Sequence, residues 1–347
     1  MSATSLCPDA AADIPAGGRI GPLVADAPAR IGLIHNPLAR RNRRHPGRAR
    51  AAVGQVPHVT FVQARGPAEI EAALQGLARA GVEVIAVNGG DGTIQATLSA
   101  LLAPHAPFPE PPPLAVLAGG TTNMTARDVG ATDEPGRALR RLLAWSEGRR
   151  RAELLHRAVL GVASRPNERP AYGLFFSTAG ILEATLYCRH YRDSRRLALL
   201  RNGLGTSLGV ARLAGSLALG GSPLSPARIH GDIDGQTLGP ADYLGLLVTT
   251  LERLALGIRP YWGEGPGRLR LTAVHHRPHR LLLALPALLR GRPSRHLRSE
   301  LGYRSAAAHQ VHLYLEGPYA IDGEIFHPSP GEPVTITEDR QLCFLRP

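Results

Sequence analysis

The chain contains no lysine: all 40 of its basic Lys+Arg residues, in a total of 347, are arginine. A Walker A loop, the usual protein-kinase lysine, a pyridoxal Schiff base and a lysine aldolase are thereby excluded, since each needs an ammonium group on the chain. Cysteine is equally scarce. Cys7, Cys188 and Cys343 lie far apart with no CxxC or Cys/His spacing, so neither a zinc site nor a disulfide framework is expected, and free thiols in a reducing cytosol are the reading. Aromatic residues make up 5% of the chain, and no known nucleic-acid motif interleaves them with the basic runs. Long apolar runs are missing too. Leu244 to Thr250 and Leu281 to Leu289 fall far short of the roughly 20 residues that span a bilayer, and no secretory signal opens the chain.

What is present is positive charge and glycine. The net charge of +12 rests on guanidinium groups, which favour bidentate contact with phosphate and carboxylate. At this length two domains are expected. Residues 1 to 29, rich in Ala, Gly, Pro and Asp, read as a disordered leader whose removal before Ala29 should leave the fold intact.

From Arg30 the pattern alternates. Arg30 to His35 is a short apolar strand stopped by Asn36-Pro37, followed by a loop dense in arginine from Arg40 to Arg50. Val56 to Gln63 reads as a strand, Pro67 to Ala80 as an amphipathic helix, Val82 to Val87 as a strand and Ile94 to Leu102 as a helix. A proline-rich connection leads to a strand at Leu114 to Leu117, then helices at Met124 to Asp128 and Pro135 to Trp145. Strands alternating with helices imply a doubly wound α/β domain over residues 30–150. Beyond Arg151 short strands between Gly and Pro turns imply an antiparallel β-sandwich over 151–326, with 327–347 as a terminal segment. Two helical stretches interrupt it, Leu186 to Leu219 and Pro278 to Leu297, each apolar on one side and basic on the other. Both suit an anionic membrane surface, and equally a solvated face on a core helix.

Three loops carry chemistry. In Gly89-Gly90-Asp91-Gly92-Thr93 the glycines let backbone N–H groups approach an anion at a helix start, and the carboxylate of Asp91 calls for a cation between itself and a phosphate, hence a Mg²⁺-nucleotide. A plain Gly/Asp turn is the alternative for that motif alone. Gly119-Gly120-Thr121-Thr122-Asn123 repeats the arrangement at the end of the next strand, where open α/β sheets gather ligands; Asn123 is also placed to cap the following helix. Ala320-Ile321-Asp322-Gly323-Glu324 sets two carboxylates about a glycine. Phosphoryl transfer to an alcohol needs such a base, and a simple hairpin turn needs the same Asp-Gly.

Together, Asn36-Pro37, Gly89 to Thr93, Gly120-Thr121-Thr122-Asn123 with Ala126, and Ile321-Asp322-Gly323-Glu324 resemble the diacylglycerol kinase catalytic-domain family, the bacterial lipid kinases similar to sphingosine and ceramide kinases. The likeness covers about residues 30 to 345. It implies an NAD-kinase-like nucleotide domain, a β-sandwich lipid domain and a tail returning to the first. It further implies ATP and Mg²⁺ as cofactors and a neutral lipid (diacylglycerol, ceramide or a sphingoid base) as substrate. The location it implies is cytoplasmic, on the inner face of the membrane, and a homodimer is compatible with it. Carried over by residue, Asn36, Gly89, Gly90, Asp91, Gly92, Thr93, Ile94, Gln95, Ala96, Gly120, Thr121 and Asn123 would bind ATP. Asp91 would act through the nucleotide Mg²⁺, and Glu324 would accept the proton with Asp322 beside it.

The departures are specific. The Asn-Pro loop continues Leu38-Ala39-Arg40-Arg41-Asn42-Arg43 where the family has glycine, and Gly180-Ile181-Leu182-Glu183 replaces Gly-Phe-Asp. Gly263-Glu264-Gly265-Pro266 stands nearest to the family's Asp-Gly-Leu metal loop, leaving Glu264 as the one candidate ligand for a second metal. Two other classes remain open. One is an NAD-kinase-like enzyme with a soluble acceptor; the other is an arginine-rich binder of nucleic acid or anionic surfaces, which would have no use for Asp91 and Glu324.

Overall fold

The computed structural model describes residues 19–25, 28–54, 56–165, 168–183 and 225–347. In chain order the first half comprises β1 (Arg19–Leu23), β2 (Ile31–His35), α1 (Arg40–Arg44), α2 (Arg48–Val53), β3 (Val59–Gln63), α3 (Pro67–Arg79), β4 (Val84–Gly89), α4 (Asp91–Leu101), β5 (Leu114–Ala118), α5 (Met124–Asp128) and α6 (Pro135–Ser146). The second half comprises β6 (Ala152–Ala163), β7 (Ala171–Gly173), β8 (Phe175–Ala179), β9 (Ala227–Ile233), β10 (Gln236–Thr249), β11 (Leu269–His275), α7 (Leu281–Arg290), β12 (Tyr303–Ala308), β13 (Gln310–Leu315), β14 (Tyr319–Ile321), β15 (Glu324–Phe326) and β16 (Val334–Arg346).

Strands β2, β4 and β5 are apolar at nearly every position and wholly buried, as parallel strands covered on both faces must be. They pair in the order β3-β2-β4-β5, all parallel. On one face α3 contributes Ile70, Leu74 and Leu77 and α4 contributes Ile94, Leu98 and Leu101 to a shared core. On the other, α6 buries Leu139, Leu142 and the fully enclosed Trp145. The doubly wound reading of this half holds. The second half is antiparallel, with β9, β10, β11, β12 and β13 burying Ile229, Leu246, Leu271 and Val311 around their own core, as the β-rich reading expected.

The two halves are joined by backbone hydrogen bonds. β16 pairs with β13 at its start, runs antiparallel to β6 from Thr335↔Ala163 to Arg346↔Glu153, and reaches β5 in parallel at Phe344↔Leu114. A buried ion pair adds to this. Arg157 on β6, 7% exposed, donates from Nε to Asp128 Oδ2 at 2.9 Å, with the Asp128 side chain 1% exposed. Asp128 Oδ1 then accepts the backbone N–H groups of Glu252 at 2.8 Å and Arg253 at 3.1 Å, so one carboxylate at the end of α5 holds the loop after β10.

Three expectations are corrected. Arg19–Leu23, inside the stretch read as disordered, forms a strand on β6, because Leu23 packs beside the α6 core and its carbonyl accepts the Trp145 indole N–H at 3.2 Å. The arginine-dense segment after Asn36-Pro37 is two short helices rather than a loop, anchored by buried Asn42. Cys343 is disulfide-bonded rather than a free thiol. The basic stretch Leu186 to Leu219 lies outside the described residues, and of Pro278 to Leu297 only Leu281–Arg290 is helical. Among the described residues no helix is long and apolar enough to cross a membrane.

Deleting residues 1–25 should lower unfolding free energy by about 2 kcal/mol in urea titration, the scale of one apolar side chain returned to water. Asp128→Ala should cost more, about 3–5 kcal/mol in the same titration, because it leaves the buried Arg157 guanidinium with only the more distant, half-exposed Glu252 as a carboxylate partner.

Candidate active site

The site is assembled where β2, β4 and β5 end together. β4 runs into Gly90, whose carbonyl accepts the N–H groups of Thr93 (3.0 Å) and Ile94 (3.1 Å) and so opens α4 directly on the strand. The second glycine turn lies against the first. A β-carbon on Gly120 would fall 2.5 Å from Gly90 Cα, so only glycine permits this backbone-to-backbone approach. Asn123 adopts the left-handed conformation (φ 50°) at the head of α5 and donates from Nδ2 to the Gly120 carbonyl at 3.2 Å, closing its own turn.

Side chains from the Asn-Pro loop brace the cradle. Asn36 Nδ2 donates to Thr93 Oγ1 at 2.9 Å, and Asn36 Oδ1 accepts the N–H of Leu38 at 2.9 Å. Asn42 Nδ2 donates to the carbonyls of Asn36 (2.8 Å) and Asn88 (3.0 Å), tying α1 to two strand ends at once. Arg41 donates its backbone N–H to the Gly119 carbonyl (2.9 Å) and its guanidinium to that of Ala118 (3.0 Å). Arg48 pairs with Glu134 and Arg50 lies over the Phe61 ring. Half of the arginines in this segment are therefore engaged with the protein itself.

The carboxylates arrive from opposite halves of the chain. Asp91 sits at the first position of α4 with its side chain at the amino end of α5, where Oδ1 accepts the Thr125 N–H at 3.3 Å and the N–H groups of Asn123 and Met124 also face it. Burial pushes its carboxyl up from the usual range, and those donors pull the other way. Asp322 and Gly323 form the two-residue turn between β14 and β15, both with positive φ (49° and 89°), as a type I′ hairpin requires. The turn reading and the site reading are thus compatible. Asp322 is 5% exposed, Oδ2 accepts the Leu174 N–H at 3.0 Å, and Oδ1 has no hydrogen-bond partner among the described residues. Burial first, and the nearby charge of Asp91 second, hold the Asp322 carboxyl well above the ordinary range.

Two residues on, Glu324 is exposed and its carboxyl rests on Gly92, where any β-carbon would collide with Oε1. The hairpin is kept in place by a strut between halves: Ser99 Oγ on α4 donates to the Tyr172 carbonyl (3.2 Å) and accepts the Tyr172 N–H (2.8 Å), and Leu174 then bonds Asp322.

Asn36, the Gly89 to Thr93 turn, Gly120, Asn123, Asp91, Asp322 and Glu324 are brought together. Ile94 and Ala96 are not at the surface of the cradle but in the core (2% and 7% exposed), and buried Gln95 donates to Ser99. Glu264 is exposed on a segment bonded to β12, and no group of three or more His, Cys, Asp or Glu able to hold a metal occurs among the described residues. Asn42 and Ser99 escaped the sequence reading. Asn42 alone carried a signal, as the one uncharged residue in Arg40-Arg41-Asn42-Arg43-Arg44.

In this architecture a doubly wound α/β half meets, at its glycine turns, carboxylates from a β-rich half. Residues 30–154 match the family model described as the diacylglycerol kinase catalytic domain. Among solved structures, a diacylglycerol kinase candidate from Bacillus anthracis str. Sterne aligns at 16% identity over 92% of this chain and 97% of its own, with a TM-score of 0.59. A second structure described as a diacylglycerol kinase from the same organism gives 16%, 92%, 97% and 0.55. An NAD kinase from Archaeoglobus fulgidus in complex with ATP aligns more loosely, at 12% identity over 90% and 92% with a TM-score of 0.44. No curated protein sequence matches the chain.

The raised Asp322 carboxyl has a signed consequence. The native state holds this proton more tightly than the unfolded chain, so its contribution is complete below about pH 4 and is lost as pH rises through the raised native value. Calorimetry of ligand-free protein should therefore show Asp322→Asn melting increasingly above the unaltered chain as pH is raised from about 5 to 8.

Proposed function

We propose that the protein is an ATP- and Mg²⁺-dependent lipid kinase that transfers the γ-phosphoryl group to a primary hydroxyl of a neutral lipid such as diacylglycerol, ceramide or a sphingoid base. The observation that carries this reading is the contact of Glu324, delivered by the β14–β15 hairpin, with Gly92 in the first turn of α4. A proton acceptor from one half stands at the anion-binding helix start of the other.

The residues fit a nucleotide and its cation. The Gly90 and Gly120 turns leave backbone free to approach phosphates, and the positive end of α4 favours them. Asp91 and the unpartnered Oδ1 of Asp322 would hold Mg²⁺, which when bound supplies neutralisation of phosphate charge. Glu324 then takes the hydroxyl proton as the alcohol oxygen bonds to the γ-phosphorus and the bond to the β-phosphate oxygen breaks. Asn36 fixes Thr93 at the cradle's edge, and arginine serves where related mechanisms use lysine.

Two exposed apolar side chains beside this point favour a lipid acceptor over a soluble one. Leu38 (56% exposed) follows the Asn36-Pro37 corner, and Ile325 (47%) follows Glu324. Water-facing leucine and isoleucine flanking a charged cleft suit a substrate with a polar head and an apolar body.

Transfer of labelled γ-phosphate from ATP to detergent-dispersed diacylglycerol, ceramide and sphingosine, with NAD as the soluble control, tests the reading. One of the lipids should take up label, and Glu324→Gln should reduce the rate by about 10²- to 10⁴-fold. Label in NAD alone, or an unimpaired Glu324→Gln, would overturn it.

A further inference from the structure

Far along the chain from the cleft, residues 275–298 hold six arginines and four histidines, and no acidic residue occurs between Gly265 and Ser299. The structure gathers half of these side chains. His279, Arg280, Arg295, His296 and Arg298 line one open pocket of about 530 Å³ at the amino end of α7. Among the described residues none of these arginines is ion-paired with a carboxylate, although ten arginine–carboxylate pairs occur elsewhere. The pocket's frame is fixed: the His279 N–H donates to the Leu301 carbonyl (2.9 Å), the Tyr303 hydroxyl to that of His279 (3.0 Å), and the Leu301 N–H to that of Arg298 (3.0 Å). Arg280, Arg295 and Arg298 are exposed, Arg295 Nε bonding to His296 Nε2 at 3.4 Å, and guanidinium groups gathered in one open pocket draw an anion to it.

The helix beside the pocket has its own unsatisfied face. Ala284 is buried, and Leu281, Ala287 and Leu288 pack with it on Leu297 and Tyr303. Leu282 and Leu283 point the other way, 55% and 60% exposed. Arg280 stands at the start of this helix and Arg290 at its end. Cations at both ends of adjacent outward leucines match a surface that is anionic at its face and apolar just beneath.

We propose that α7 and its pocket are a docking site for an anionic phospholipid bilayer, with phosphate headgroups taken by Arg280, Arg295 and Arg298 and the side chains of Leu282 and Leu283 entering the acyl boundary. The inference does not rest on the phosphoryl-transfer reading, since docking needs neither ATP nor an acceptor.

Co-sedimentation of the full chain with phosphatidylcholine vesicles, with and without phosphatidylglycerol, tests it. The chain should bind the phosphatidylglycerol vesicles. Arg295→Gln with Arg298→Gln, and separately Leu282→Ser with Leu283→Ser, should each weaken partition about tenfold or more. Leu283→Trp should show emission quenched by lipids brominated in their acyl chains, while Glu324→Gln should bind as the unaltered chain does, so loss of turnover and loss of docking are read separately. Equal binding to vesicles lacking phosphatidylglycerol, unchanged partition in either double variant, or an unquenched tryptophan at position 283 would overturn the proposal.

Discussion

The ladder between β6 and β16 is the constraint on which the other features depend. It begins inside the β-rich half, where β16 also pairs with β13, and ends at Phe344↔Leu114 on the parallel sheet. The two halves are thereby one continuous sheet system and not two bodies on a linker. The β6–β16 ladder runs from Thr335↔Ala163 to Arg346↔Glu153 with one interruption between Thr337 and Arg340, so sliding β16 would break a row of hydrogen bonds at once. That rigidity allows a hairpin from residues 319–326 to meet a helix start at residue 91.

Around the site, the structure concentrates electrostatic cost at a few positions. Asp322 is buried with one oxygen unpartnered and Asp91 nearby, an arrangement that disfavours ionisation of the pair until something positive enters. Asp128 is buried too, but Arg157 and two backbone N–H groups satisfy it fully. The contrast separates a carboxylate whose oxygens are satisfied within the fold from one left with an oxygen unpartnered among the described residues. Both rest on a chain whose only strong cation is arginine, which keeps its charge when buried and can serve several acceptors in one plane.

Much of this was legible in the residues. Apolar runs ending in glycine turns located β4 and β5, and the shift after Arg151 to short strands located the antiparallel half. The less legible parts share a cause. Leu23 lies in a stretch rich in small residues and proline, and only the exposed edge of β6 and the Trp145 indole give it a place. The helices α1 and α2 are arginine-rich, with no apolar periodicity to announce them; a single buried asparagine holds the first of them. Ile94 and Ala96 were grouped with the phosphate turn by position along the chain, yet the pitch of α4 turns them into the core.

The sequence by itself determined the two architectures, the glycine positions at which backbone can approach an anion, and the exclusion of every lysine-dependent chemistry, because these depend on local periodicity, on the missing β-carbon and on composition. Only the tertiary structure decided which carboxylates lie together, that Glu324 rests on Gly92 while Glu264 lies on a separate segment bonded to β12, and that the arginines beside α7 have no carboxylate partners among the described residues. Those facts concern distances between residues hundreds of positions apart. Such distances are set by strand pairing and by the burial of two cores, which no local pattern encodes.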